Sequence, residues 1–77
     1  MKLKELKVGE SGRVKGYDTT DRMYRQKLLQ MGLIRGAEFK LVRMAPLGDP
    51  AEIQLRGFNL TLRKAEADSL NIEKVES

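Results

Sequence analysis

The chain has no cysteine and no histidine. The first absence excludes a disulfide and a thiolate metal site. The second removes the commonest general base and the commonest transition-metal ligand together. No apolar run comes near the roughly 20 residues that span a bilayer. Residues Met1 to Lys7 interleave lysine with leucine and lack the apolar stretch and small-residue cleavage site of a signal peptide. Aromatics are confined to Tyr17, Tyr24, Phe39 and Phe58, too few for a platform on which bases stack. The 77 residues are enough for one domain, residues 1–77. A domain of that size buries only about 60% of the surface its unfolded chain exposes, so packing alone must hold it. These absences lead to the expectation of a cytoplasmic, non-enzymatic domain that needs no cofactor and acts by binding a partner.

What is present is basic. The net charge is +4. Residues 1–31 carry eight basic and four acidic side chains, and residues 32–64 carry six and three. The tail, 65–77, carries one and four. A basic body suits an anionic partner, but the mixing of signs nearly everywhere describes a solvated surface more readily. An acidic tail opposes a phosphate backbone, so no specific nucleic-acid binding is expected, only salt-sensitive association.

The hydrophobic pattern predicts a mainly β fold. Leu3 and Leu6 fit one helical turn. Ser11 to Tyr17, with Val14 between Gly12 and Gly16, reads as a bent strand, since glycine inside a strand marks a bulge or barrel corner. Asp18 to Asp21 is a turn and a helix N-cap. From Arg22 to Met31 the spacing is helical, with Tyr24, Leu28 and Met31 on one face turned to the core. Gly32 supplies a left-handed C-cap, and Leu33 folds back on Leu28 in a Schellman motif. Ala37, Phe39 and Leu41 then alternate as a strand, with Val42 and Met44 placed on its other face. Pro46 to Pro50 is a loop. Ile53 with Leu55, and Leu60 with Leu62, alternate around a hairpin at Gly57-Phe58-Asn59. Lys64 to Ser69 is a helical turn, and Leu70 with Ile72 forms a last strand. Five short strands with one α-helix between the first two suggest a small, partly open β-barrel.

No motif carries chemistry. Asp18 and Asp21 cap a helix more readily than they hold a hard cation, because no second acidic cluster completes a shell. Gly12-x-x-x-Gly16 and Gly32-x-x-x-Gly36 match neither phosphate-loop form and read as turn and bulge glycines. No nucleophile is paired with a base. Two residues stand out for binding. Leu29 falls among Arg22, Arg25 and Gln26 on the outer helical face at 100° per residue, either as a lone exposed leucine or as an interface anchor. Leu47 sits in a loop between proline and glycine. Leu29, Leu47, Arg22 and Arg25 form the candidate partner-binding patch.

Three stretches in this order resemble the ferrous iron transport protein A (FeoA) family. They are Lys27-Leu28-Leu29-Gln30-Met31-Gly32-Leu33 with Gly36 behind it; Ala45-Pro46-Leu47-Gly48-Asp49-Pro50 leading into Glu52 to Gly57; and Leu60-Thr61-Leu62-Arg63-Lys64-Ala65-Glu66-Ala67. The likeness runs from Leu3 to Ile72. It implies an SH3-like barrel, a bacterial cell, and a role in ferrous iron uptake. The implied partner is FeoB, a membrane transporter with a cytosolic GTPase domain, so that the chain reaches the membrane only through that partner. A related barrel also closes some metal-dependent repressors, which keeps open a free-standing regulatory module in metal-responsive transcription. Where many relatives carry proline before Gly36, this chain has Arg35.

With no histidine or cysteine to ligate it, Fe(II) should bind the isolated chain no better than weakly. Calorimetry that found a micromolar or tighter site on the monomer would contradict this.

Overall fold

One sheet built from five short strands has to curl on itself to enclose a core, and glycines and bulges provide the curl. The computed structural model describes residues 1–76. A single 3-10 turn, Leu3–Glu5, leads into β1 (Ser11–Tyr17), followed by α1 (Arg22–Gln30) and β2 (Glu38–Met44). After the turn Pro46–Gly48 come β3 (Ala51–Leu55), β4 (Phe58–Leu62), α2 (Lys64–Asp68) and β5 (Leu70–Val75). All neighbouring strands are antiparallel, in the order β4-β3-β2-β1-β5, so β1 pairs with both β2 and β5. The expected five strands, main helix and incomplete closure are all present. Among the described residues no helix is long and apolar enough to cross a membrane.

β1 bends where its glycines stand. Its register with β5 slips between Val14 and Gly16, which leaves Lys15 as the extra residue of a bulge. Gly12 lies opposite Phe39. A Cβ there would come 2.8 Å from Phe39 Cζ and 3.2 Å from Ile72 Cδ1 and Leu6 Cδ1. Phe39, 3% exposed, therefore occupies the space that a side chain at position 12 would take.

A second bulge corrects the expected facing of β2. Leu41 pairs with Ile53, but Met44 pairs with Ala51, three residues along β2 against two along β3. The extra residue returns Met44 to the inner face, where it packs against the core. The strict alternation expected from the pattern would have placed it on the opposite face from Leu41. The hairpin after β3 is also one step earlier than expected. Leu55 pairs with Phe58, so the two-residue turn is Arg56-Gly57, and Phe58 and Asn59 belong to β4. Both turn residues have positive φ, 53° and 83°, the primed geometry whose twist matches a tight hairpin.

The core holds Val14, Leu28, Leu41, Ile53, Leu62 and Leu70, each at most 1% exposed. Leu28 is the only buried residue of α1. Tyr24, expected beside it, is 36% exposed. The C-terminal end of α1 is anchored by Leu28 and Leu33, both fully buried. One turn earlier the helix stands clear of the core, and Tyr24 is only partly covered.

Cutting Leu28 to alanine leaves a cavity in this core and should cost about 2–5 kcal/mol. Thermal or urea unfolding of Leu28→Ala should show the loss at once. A change below about 1 kcal/mol would mean the helix is not held by this side chain.

Candidate protein-binding surface

The surface is built outward from the two ends of α1. At its start, the Thr19 hydroxyl accepts from the Asp21 N–H at 3.0 Å, and Asp21 Oδ1 accepts from the Met23 N–H at 2.9 Å. Asp21 is thus the expected N-cap. Asp18, read with it as a cap, instead pairs with Lys2 Nζ at 3.1 Å. At the far end Gly32 has φ of +92°. The Gly32 N–H donates to Leu29 O and the Leu33 N–H to Leu28 O, each at 3.0 Å, completing the Schellman pair. The Tyr17 hydroxyl donates to Leu33 O at 2.6 Å, tying this cap to β1. A third tie comes from the side: Lys27 Nζ pairs with Glu66 Oε2 of α2.

Glu66 is buried, at 3% exposure. Burial pushes its carboxyl upward, but the Lys27 hydrogen bond, the Arg63 N–H at 2.9 Å and the two cationic neighbours outweigh it, so the net shift is downward. Tyr17 moves the other way. Burial raises its hydroxyl, while Arg35 and Arg25 pull it back in part. One arginine of α1 and one of the segment after it thus act electrostatically on the same phenol. The Arg35 guanidinium lies 3.9 Å from where a Cβ of Gly16 would stand.

These ties leave the rest of α1 uncovered. Eight of its nine residues are exposed. Arg22, Arg25, Gln26, Leu29 and Gln30 line an open, shallow depression of about 510 Å³. Leu29 is 42% exposed, so the core does not claim it. Three of the four expected site residues are thereby brought together. Leu47 is not among the lining residues of that depression; it lies in the loop between β2 and β3. It is 94% exposed and adopts a φ of 69°. A leucine there carries left-handed strain and a fully wetted apolar side chain together, and the fold gains nothing visible from either. Spacing did not reveal the exposure of Met23, at 82%, or the seat of Arg35 beside Gly16.

The arrangement suits recognition. It presents fork-shaped donors around an apolar anchor, the residue types that carry energy at interfaces. Among the described residues no three acidic side chains gather as a metal would need.

Comparison with known proteins follows the same line. The FeoA domain family matches residues 1–74. The chain is 31% identical over 80 residues to the Fe(2+) transport protein A/Fe(2+) transporter FeoB fusion protein of Porphyromonas gingivalis. That match covers all of this chain and 9% of the fusion protein. The FeoA protein of Chlorobium tepidum is 39% identical with a TM-score of 0.83, over 99% of this chain and 71% of that one. The zinc-complexed FeoA of Stenotrophomonas maltophilia, a prokaryotic SH3 domain protein, is 25% identical with a TM-score of 0.80, over 95% and 89%. A manganese-dependent transcriptional repressor superposes over 97% of this chain and 36% of its own, with a TM-score of 0.89 at 12% identity, a likeness of fold alone.

Because the Glu66 carboxyl is held below its ordinary value, its contribution is present at neutral pH and is lost as pH falls through the folded value. Glu66→Gln keeps an acceptor for Arg63 and gives up the charge, which should cost about 1 kcal/mol at pH 7. The gap in stability between the two proteins should close on acidification below the usual carboxylate range. Parallel melting curves at neutral and acid pH check this; a gap that stays constant would show that the charge is not what matters.

Proposed function

The chain belongs to the FeoA family, and from that premise we propose that it is a cytoplasmic accessory subunit of a FeoB-type ferrous iron importer. It meets the cytoplasmic part of the transporter through the outer face of α1, with Leu29, Arg22 and Arg25 at the centre and Leu47 as a second anchor. There it biases the transporter's assembly or nucleotide cycle without catalysing a step itself. The observation that carries this reading is the Porphyromonas gingivalis protein, in which the matching region and the transporter are one polypeptide. A tether between two domains raises their effective concentration toward the millimolar range and helps only domains that engage each other. The uncovered face of α1 supplies a surface for that contact. Regulation of transcription by a free-standing barrel rests on fold alone, and we do not adopt it.

Truncating or charging a central interface anchor typically costs about 2 kcal/mol or more, roughly thirtyfold in affinity. A charge at an already exposed position costs the fold about 0.5 kcal/mol or less. Leu29→Glu and Leu47→Asp should therefore melt close to the wild type, yet capture far less transporter from detergent-solubilised membranes and fail to support iron-limited growth. Unfolding of Leu29→Glu would assign Leu29 to the core. Normal capture by both folded variants would move the contact elsewhere on the barrel.

A further inference from the structure

The excess positive charge of the chain is not spread over it. Between Arg22 and Ala37 stand four basic residues, Arg22, Arg25, Lys27 and Arg35, and no acidic one. The remainder carries eleven basic and eleven acidic side chains, so the whole net charge of +4 belongs to this stretch. Elsewhere the acidic side chains balance the basic ones in number, and Lys2 pairs with Asp18, Arg13 with Glu38 and Glu73, Lys15 with Glu73, and Lys74 with Glu10. Within the stretch Lys27 has Glu66. Among the described residues Arg22, Arg25 and Arg35 have no such partner within ion-pair distance.

The fold turns this stretch into one surface. Arg22 and Arg25 share the α1 depression with Leu29. Spaced i and i+3, they rise from neighbouring positions of one helical face, about 5–6 Å apart at Cβ. At 100° per residue Leu29 falls between them. Arg35 rests against Gly16 of β1 and, like Arg25, acts on the Tyr17 phenol. The three cations of this stretch without an ion pair are all arginines, whose planar forks match carboxylates two bonds at a time. A membrane-lying helix needs a continuous apolar sector. Here Gln26 and Gln30 stand between Leu29 and Met23 on the exposed side, and such amides are better served by a protein's backbone and side chains than by lipid.

We propose that this face of α1, extended by Arg35, is a docking surface for an acidic amphipathic protein segment. The segment presents carboxylates to Arg22 and Arg25 and seats an apolar side chain on Leu29. The inference deepens the accessory-subunit reading on which it rests, by naming the chemistry of the transporter surface that is met.

The test is titration of the full-length, isotope-labelled chain with a helix-forming peptide of glutamate and leucine at helical spacing, beside its glutamine-for-glutamate counterpart. Measured at about 50 and about 300 mM salt, binding should weaken with salt, as exposed charge pairs do. Shift changes should fall on residues 22–37. The double variant Arg22→Glu/Arg25→Glu should lose about tenfold or more in affinity. Lys4→Glu/Lys40→Glu, an equal change of charge at exposed sites elsewhere, should lose much less. Equal loss in both variants, or equal binding of the neutral peptide, overturns the proposal. Tighter binding to phosphatidylglycerol vesicles than to the peptide also overturns it and makes a membrane the occupant. Capture from membranes separates the two readings. If the Arg22→Glu/Arg25→Glu chain still retains the transporter as the wild type does, the acidic surface is wrong and the accessory role stands. If the wild type retains no transporter, the accessory role falls, and the peptide titration still decides the surface.

Discussion

The structure depends on β1 serving two neighbours at once. It is the only strand that links the β2 side of the sheet to β5, and it does so while bending over its own core. That bend requires the Phe39 ring to lie directly against the β1 backbone, in the space that any side chain at Gly12 would claim. Close approach of a ring to bare backbone is the use of glycine that no other residue replaces. With no disulfide to hold a misfit together, the sheet must close by shape. Ile72 of β5 and Leu6 crowd the same spot, so one missing side chain sets the spacing of three parts of the chain.

One kind of information was legible before the structure and another was not. Residue chemistry with a fixed backbone demand was read correctly: Asp21 as a cap, Gly32 as the left-handed end of a helix, and Gly12 with Gly16 as the bend of a strand. Each of these is decided within a few residues of itself, so the sequence carries the whole reason. Facing was harder. Met44 turned inward because β2 holds one residue more than its partner between two pairings, and an extra residue in one strand cannot be seen without the other. Tyr24 has the same spacing from Leu28 as a core residue would. Whether it is covered depends on where the helix leaves the barrel, which is a tertiary matter. The hairpin moved to Arg56-Gly57 for a similar reason, since pairing of Leu55 with Phe58 fixed the turn from both sides.

The proposed surface was legible in part by elimination. Leu29 stood out because helical geometry left it among polar residues, and its exposure follows from the same geometry. Leu47 could be suspected from its flanks but not ranked, because the backbone angle that makes it costly belongs to the folded loop. The role of Arg35 was the least visible. Its distance in sequence from Gly16 gives no hint that its guanidinium would lie against that strand. The family's SH3-like barrel fits these observations: a small curved sheet keeps its interior for packing and carries recognition on whatever is attached outside.

In the proposed reading, the helix α1 illustrates how separable those two duties are. It is fastened to the barrel by Leu28, by the Schellman turn that Tyr17 grips and by the Lys27–Glu66 pair. The remaining positions carry little of the folding load, and substitutions at such sites usually shift stability by no more than about 0.5 kcal/mol. Over evolutionary time the outer face can therefore be rewritten one residue at a time while the barrel is inherited unchanged. Relatives that share the scaffold are free to diverge in what they recognise, and the record of that divergence would be concentrated in a few helical positions that selection on folding leaves nearly untouched.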